Sequence, residues 1–328
     1  MYLQDSSGRN FHYLRISVTD LCNFRCTYCL PKGYQKGLRS ESELSPVEIE
    51  RLVAGFSSMG FWKIRLTGGE PTSRGDIVEI AERVGRVTGV RRLAISSNGF
   101  RLKTLSRALV AAGVSAFNIS LDSLDRATFN RITGTGKFDD VKSGIEDLLS
   151  LGVGAVKLNA VLMRDVNDQV ADVLEFAEFV RERPISIRFI ELMRTGENHE
   201  LFSSHHVSSS VLQKIFLEQG WSRIARQNGD GPAVEFRHPK YRGRLGLIAP
   251  YASGFCETCN RLRVSSSGAL RLCLFGSGEH SLRQYLQADS QRDQLVETVQ
   301  EVLRLKLPTH FLNEGDYGIT RNLSTIGG

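Results

Sequence analysis

The sequence predicts an α/β protein, in which a partial, open (βα)6 TIM-like barrel precedes a C-terminal α+β extension. Strand-like and helix-like segments alternate over about the first two thirds of the 328 residues. Six strands, each reached through a helix, imply a parallel sheet. The chain shows no dinucleotide-type glycine fingerprint, which favours a barrel over a doubly wound sheet.

The barrel elements follow in regular order. Ser45 directly before Pro46 predicts the N-cap of the first helix. The predicted strands span residues 13–19, 63–66, 92–96, 116–121, 155–162 and 185–190, and the predicted helices span 46–58, 76–87, 102–112, 125–132, 139–151 and 170–180.

After residue 193 the pattern changes, so we divide the chain into a barrel (1–193) and an extension (194–328). The extension is predicted to contain a polar loop, then helices and short antiparallel strands, then a tail rich in Gly, Asn and Thr. These segments are the loop 195–206, helices 211–217, 281–286 and 295–305, strands 221–227, 233–238, 244–248, 261–265 and 269–272, and the tail 309–328.

Composition indicates an ordinary globular protein, with 41% hydrophobic and 24% charged residues. No membrane span or signal peptide is recognisable, which predicts a cytoplasmic protein without a membrane partner. The formal net charge of +6 comes largely from scattered arginines. It fits a small polyanionic substrate, nucleic acid or solvated surface charge; without a basic block or aromatic platform, we expect no nucleic-acid partner.

Six cysteines form two triplets, Cys22, Cys26 and Cys29 in a C-x3-C-x2-C run, and Cys256, Cys259 and Cys273. A four-iron cluster held by three thiolates keeps one iron open. Two [4Fe-4S] clusters are therefore one interpretation. Zinc is the alternative, and would require a fourth ligand at each site.

The loops that follow the predicted strands should meet at one edge of the barrel. They include the first cysteine run and the Gly68-Gly69-Glu70-Pro71 turn, in which glycine permits close approach to a ligand. Together these two motifs resemble the radical S-adenosylmethionine (SAM) superfamily. The resemblance implies a cluster whose open iron chelates SAM and a 5′-deoxyadenosyl radical released from it.

The extension sharpens this resemblance. Arg261 and Arg263 alternate on a strand after Cys259 and so face one side, where guanidinium groups suit phosphates. With the second triplet and the terminal Gly327-Gly328, this segment resembles the GTP 3′,8-cyclase family. The similarity extends from about Tyr13 to the C-terminus.

The resemblance implies a role for each matched residue. Cluster ligands are Cys22, Cys26 and Cys29, and Cys256, Cys259 and Cys273; SAM-lining residues are Tyr28, Gly69, Ser120 and Met193; GTP contacts are Arg15, Arg65, Ser96, Lys157, Arg261, Leu262 and Arg263; and Gly327 and Gly328 reach the active site. No further side chain is assigned to catalysis. Ser96 stands where the family usually has threonine.

The implied reaction is the first step of molybdenum-cofactor (molybdopterin) biosynthesis. Hydrogen abstraction from ribose C3′ of GTP and attack on C8 give (8S)-3′,8-cyclo-7,8-dihydroguanosine 5′-triphosphate. Expected partners are a reduced flavodoxin or ferredoxin, a downstream cyclic pyranopterin synthase and a second copy in a homodimer. The alternatives are another two-cluster radical enzyme that modifies a peptide, and a zinc-containing nucleic-acid-binding module.

Overall fold

A long mixed sheet forms the centre of the computed structural model, which describes residues 3–35, 42–227, 229–324 and 326. The strands of the described chain are β1 (Leu3–Gln4), β2 (Asn10–Phe11), β3 (Tyr13–Ser17), β4 (Lys63–Thr67), β5 (Arg92–Ser97), β6 (Val114–Ser120), β7 (Val156–Leu162), β8 (Ser186–Glu191), β9 (Ser222–Arg223), β10 (Val234–Arg237), β11 (Arg244–Ile248), β12 (Arg261–Val264), β13 (Ala269–Arg271) and β14 (His280–Ser281).

The helices are α1 (Pro46–Ser58), α2 (Ile77–Arg86), α3 (Leu102–Ala111), α4 (Arg126–Thr133), α5 (Phe138–Ser150), α6 (Val170–Phe179), α7 (His199–His205), α8 (Ser210–Glu218) and α9 (Arg292–Leu303). The predicted cap of α1 is confirmed. Ser45 Oγ accepts a hydrogen bond from the Glu48 amide, and the Glu48 carboxylate accepts one from the Ser45 amide, which forms a capping box. None of the described helices is long and apolar enough to cross a membrane.

The sheet has the strand order β14-β13-β12-β3-β4-β5-β6-β7-β8-β11-β10-β9. Strands β3 to β8 are parallel neighbours in chain order, as predicted for an open six-unit barrel. Strand β12 adds to β3 and β11 adds to β8, both in parallel. Both edge strands of the six-unit sheet are thereby paired.

The extension differs from its prediction in several places. Strand β11 is antiparallel to β10 but parallel to β8, whereas only antiparallel pairing was expected. Part of the predicted loop 195–206 forms α7, the predicted strand 221–227 shortens to β9, and 281–286 is strand β14 followed by a 3-10 turn. The sheet continues through both predicted domains, and their division at residue 193 stays a prediction.

Apolar and polar residues alternate along parallel strands β3 and β4, so one face of the sheet is apolar there and the other is polar. Leu14, Ile16, Ile64 and Leu66 are fully buried in the hydrophobic core with residues of the surrounding helices. The intervening residues point to the inside of the open barrel, because successive side chains of a strand face opposite ways. In β3 and β4 these residues are polar, so the barrel interior is a polar space.

Candidate active site

The first cysteine loop follows β3 and is fixed against the end of α4. The Arg25 amide donates to Thr133 O (3.1 Å) and the Thr27 amide to Ile132 O (2.9 Å). All three cysteines are partly buried and free of disulfides. Their thiols are therefore available as metal ligands at the carboxyl edge of the barrel, and their role as cluster ligands stays a prediction.

The surroundings of these cysteines oppose an unliganded thiolate. Burial raises the pKa of Cys22 to about 11. Burial and then the neighbouring Cys22 raise the pKa of Cys29 to about 12, although the Leu323 amide hydrogen-bonds its sulfur. Bound iron would supply the positive charge that three thiolates need here, so the donor set fits an iron–sulfur cluster.

The Gly-Gly-Glu-Pro turn packs directly on this loop. The Gly69 amide donates to Thr19 O (2.8 Å), and a Cβ on Gly69 would lie 2.5 Å from the carbonyl oxygens of Asp20 and Leu21. Only glycine allows this approach. Glu70 is fully buried and accepts hydrogen bonds from the Asn98 amide (2.6 Å) and Ser97 Oγ (2.8 Å), so it joins two neighbouring loops.

Tyr28 lies between the last two cysteines of the loop and is anchored across the barrel. Its hydroxyl donates to Asp122 Oδ2 (3.0 Å), just beyond the end of β6. The other carboxylate oxygen of Asp122 accepts from the Val161 amide (2.8 Å). Burial raises the pKa of Asp122 to about 6. Ser120, at the end of β6, and Met193, beyond β8, complete the predicted SAM-lining set around this edge.

A cavity inside the barrel brings together nearly all predicted GTP contacts. Its lining includes Arg15, Arg65, Ser96, Lys157, Arg261 and Arg263, together with Met193 and all three cysteines of the second triplet. Leu262 is the exception, since its side chain is fully buried in the hydrophobic core. Residues far apart in sequence thus line one space, as the barrel prediction requires.

The cavity is strongly cationic. Eight Lys and Arg side chains line it, and its described lining contains no Asp or Glu; the eight are Arg15, Lys63, Arg65, Arg92, Lys157, Arg188, Arg261 and Arg263. This concentration of positive side chains in an interior cavity favours a small polyanion over an extended nucleic acid.

Mutual repulsion and burial perturb the cations and the tyrosine among them. Burial, and then the neighbouring Arg188, lower the pKa of Lys157 to about 7. Burial raises the pKa of Tyr13, but Arg65, Arg15 and Lys63 outweigh it and lower that pKa to about 7. Arg65 donates to the Tyr13 hydroxyl and to Ser96 Oγ (2.8 Å). An anionic ligand would relieve this repulsion.

At the second triplet, neighbouring cations favour a thiolate, in contrast to the first triplet. Burial raises the pKa of Cys259, but Arg261 and Lys306 outweigh it and lower that pKa to about 6. Arg261 Nη2 lies 3.9 Å from Cys259 Sγ, and Arg9 Nη1 donates to Cys256 O (3.1 Å). Three free thiols that line one cavity, with a stabilised thiolate at Cys259, fit a second metal cluster.

No group of three or more Cys, His, Asp or Glu side chains in the described ranges is arranged to hold a single metal ion. The zinc alternative gains no support from this geometry. A cubic cluster takes one thiolate at each of its irons, so its ligands need not converge on one point.

The C-terminal tail joins the two cysteine sites. Leu323 and Ile326 form an apolar cluster with Leu274 and Phe275, against which Cys29 and Cys273 both pack. Within the tail, Thr320 O and Arg321 O accept hydrogen bonds from the amides of residues 196 and 197, beyond Met193. The predicted active-site residues Gly327 and Gly328 lie outside the described residues.

Sequence reasoning missed several polar residues of the cavity, notably Lys63, Arg92, Asn118 and Arg188. They were detectable in part, because Lys63 lies two residues before Arg65 and shares its strand face. Such polar alternation is unusual in parallel strands, which are normally apolar on both faces.

Two family models match the chain, "Radical SAM superfamily" over residues 16–177 and "Molybdenum Cofactor Synthesis C" over residues 185–312. Among solved structures, the fold is similar to SuiB of Streptococcus suis bound to S-adenosylmethionine (TM-score 0.63, 12% identity, 90% of this chain and 68% of that one). It is also similar to anSMEcpe with bound AdoMet (TM-score 0.57, 14% identity, 89% and 83%).

Fold, cysteine loop and family model together define a radical SAM enzyme, a class that uses SAM and an iron–sulfur cluster. A curated GTP 3′,8-cyclase from Synechococcus elongatus is 51% identical over 327 residues, which cover 99% of each chain. The chain belongs to the GTP 3′,8-cyclase family, as the sequence motifs predicted.

Proposed function

We propose that the protein converts GTP into (8S)-3′,8-cyclo-7,8-dihydroguanosine 5′-triphosphate, the first step of molybdopterin biosynthesis. The observation that carries this proposal is the cationic cavity beside the second cysteine triplet, with eight Lys and Arg side chains along its wall. A triphosphate matches this lining. The uncharged backbone of a peptide does not, so the cavity supports a nucleotide rather than a peptide substrate.

The residues have separable tasks in this proposal. Cys22, Cys26 and Cys29 hold one [4Fe-4S] cluster, where Tyr28, Gly69, Ser120 and Met193 position SAM. A cluster with bound SAM supplies a 5′-deoxyadenosyl radical for hydrogen abstraction at C3′ of the ribose.

On the substrate side, Cys256, Cys259 and Cys273 hold a second [4Fe-4S] cluster that takes the guanine base. The phosphates lie among Arg15, Arg65, Lys157, Arg261 and Arg263, with Ser96 and the Leu262 main chain beside them. Fixing both ends of GTP keeps C8 within reach of C3′, which is a positioning contribution. We also propose that the tail ending in Gly327 and Gly328 reaches into the active site.

The reaction also requires partners. Radical formation consumes one electron, for which we propose a reduced flavodoxin or ferredoxin as donor. We place the protein in the cytoplasm, assign the cyclised nucleotide to a downstream cyclic pyranopterin synthase and expect a homodimer.

The test is anaerobic incubation of the reduced, reconstituted protein with SAM and GTP, followed by mass spectrometry. We expect equal amounts of 5′-deoxyadenosine and cyclised nucleotide. ATP is the matched control, because it shares the triphosphate and the ribose but lacks guanine, and should give no cyclised product. Formation of 5′-deoxyadenosine with GTP but without cyclised nucleotide would contradict the substrate assignment.

A further inference from the structure

Asn118 is a buried polar residue of the cavity that the site described above leaves without a task. It lies on β6, the residue is 9% exposed, and it lines the cavity. Its Oδ1 atom is buried without a hydrogen-bond partner among the described residues. A buried acceptor that stays unpaired costs about 1–3 kcal/mol, so the atom is suited to a donor on a ligand.

The position of Asn118 in the sheet indicates which part of a nucleotide it meets. In register it lies beside Ser96 on β5 and Lys157 on β7, both proposed GTP contacts. Two residues further along the same face of β6 is Ser120, which is proposed to line SAM. Asn118 therefore stands between the expected places of the phosphates and of SAM.

We infer that Asn118 Oδ1 accepts a hydrogen bond from a ribose hydroxyl of the nucleotide substrate and thereby orients the sugar. This inference rests on the proposed function. In the proposed function, the phosphates lie among the cations and the base lies at the second triplet. The ribose must then direct C3′ toward SAM, and Asn118 lies beside the ribose in this arrangement. The hydroxyl donates to the amide oxygen, which is a neutral acceptor beside the cationic side chains of the wall.

The test is a binding cycle on the full-length, reconstituted protein under anaerobic conditions. Equilibrium dialysis gives the Kd of GTP, 2′-deoxy-GTP and 3′-deoxy-GTP for the unchanged protein and for Asn118→Ala. We expect the unchanged protein to prefer GTP about tenfold over one of the two deoxynucleotides, and Asn118→Ala to lose that preference, as for one hydrogen bond. Which deoxynucleotide responds identifies the hydroxyl.

Two further variants separate binding from folding. Asn118→Asp keeps an acceptor oxygen at the same place and should keep the preference. Asn130→Ala is the matched control, because Asn130 Oδ1 is likewise buried and unpartnered in the described chain but lies away from the cavity lining. It should bind all three nucleotides like the unchanged protein.

Three results would overturn the inference. One is a GTP preference that Asn118→Ala retains. Another is equal weakening of GTP and both deoxynucleotides, which would place the amide on the base or phosphates. The third is a loss of SAM affinity with unchanged GTP affinity. If the unchanged protein binds no GTP, the proposed function fails as well; if it binds and cyclises GTP, only the assignment of Asn118 fails.

Discussion

The two cysteine triplets offer the same ligands in opposite electrostatic surroundings. At the first site, burial and the Asp122 carboxylate raise the pKa of Cys26 well above its ordinary value. At the second, burial raises the pKa of Cys259 but Arg261 and Lys306 outweigh it. Carboxylates lie near the first triplet, whereas cations lie near Cys259 of the second.

This difference corresponds to the charge of what each site is proposed to bind. SAM carries a sulfonium cation, which nearby carboxylates stabilise, whereas GTP carries a polyanionic triphosphate. In the proposed function, the barrel thus binds two ligands of opposite charge at separate places. The comparison predicts that changes at one site leave binding at the other largely intact.

The largest expected effect comes from removing one cysteine at each site in turn. Cys26→Ser should abolish SAM cleavage, because the loop loses a cluster ligand. Cys273→Ser should retain SAM cleavage but lower cyclised product at least about 100-fold, because misplaced substrates react far more slowly. Chromatography of 5′-deoxyadenosine and product, with iron analysis, measures both. Full product formation by Cys273→Ser would remove the second triplet from the reaction.

The next largest effect is expected when one cation of the cavity is removed, which tests the difference in charge between the two sites. Arg65→Ala should weaken GTP binding about 10- to 100-fold, as expected when a charged hydrogen-bond donor is lost, and should leave the Kd of SAM unchanged. Arg183→Ala is the matched control, since Arg183 is exposed and pairs with Glu146 at 3.2 Å. Calorimetric titration with each ligand measures the effect. Equal losses of SAM and GTP affinity would contradict the separation of the two sites.

The sequence predicted the fold and the family well because their signals are local. A short cysteine run needs no knowledge of distant residues, and β3 to β8 follow from alternating segments. The proximity of Tyr13, Lys63 and Arg92 depends instead on the register of three strands. Tyr13 on β3 lies beside Lys63 on β4, and Lys63 lies beside Arg92 on β5. No local pattern encodes that register.

The tail shows a second limit of sequence reasoning. Its composition is that of an irregular segment, and only the family resemblance suggested a place at the active site. In the fold, Leu323 and Ile326 fill an apolar cluster beside both cysteine sites. Apolar residues scattered through a tail rich in Gly, Asn and Thr are too weak a signal to reveal this contact.

A smaller effect should appear in the pH dependence of GTP binding. Burial and Arg188 lower the pKa of Lys157 to about 7, so the ligand-free cavity loses this charge as the pH rises above that value. A bound triphosphate favours the charged amine and raises its pKa, so binding takes up a proton.

GTP affinity should therefore be highest near neutral pH and fall by up to about tenfold per pH unit above pH 7.5, where the triphosphate is ionised. Lys157→Arg keeps the charge and should flatten the profile; SAM affinity should not follow it. Titrations in buffers of different ionisation enthalpy measure the proton uptake. A profile that Lys157→Arg leaves unchanged would assign the titration to another group of the cavity, either Tyr13, whose pKa the neighbouring cations lower to about 7, or Lys63, whose pKa burial lowers to about 8.

The smallest expected effect concerns Ser96, where the family usually has threonine. Its hydroxyl accepts a hydrogen bond from Arg65 Nη1 at 2.8 Å, so its main task is to orient that guanidinium. Ser96→Thr keeps the hydroxyl and should change the KM for GTP less than about twofold. Ser96→Ala removes the acceptor and should raise KM about three- to tenfold, the range for one hydrogen bond. Steady-state kinetics on both variants measure these changes in KM. An unchanged KM for Ser96→Ala would contradict the prediction and would mean that Tyr13 alone positions the Arg65 guanidinium.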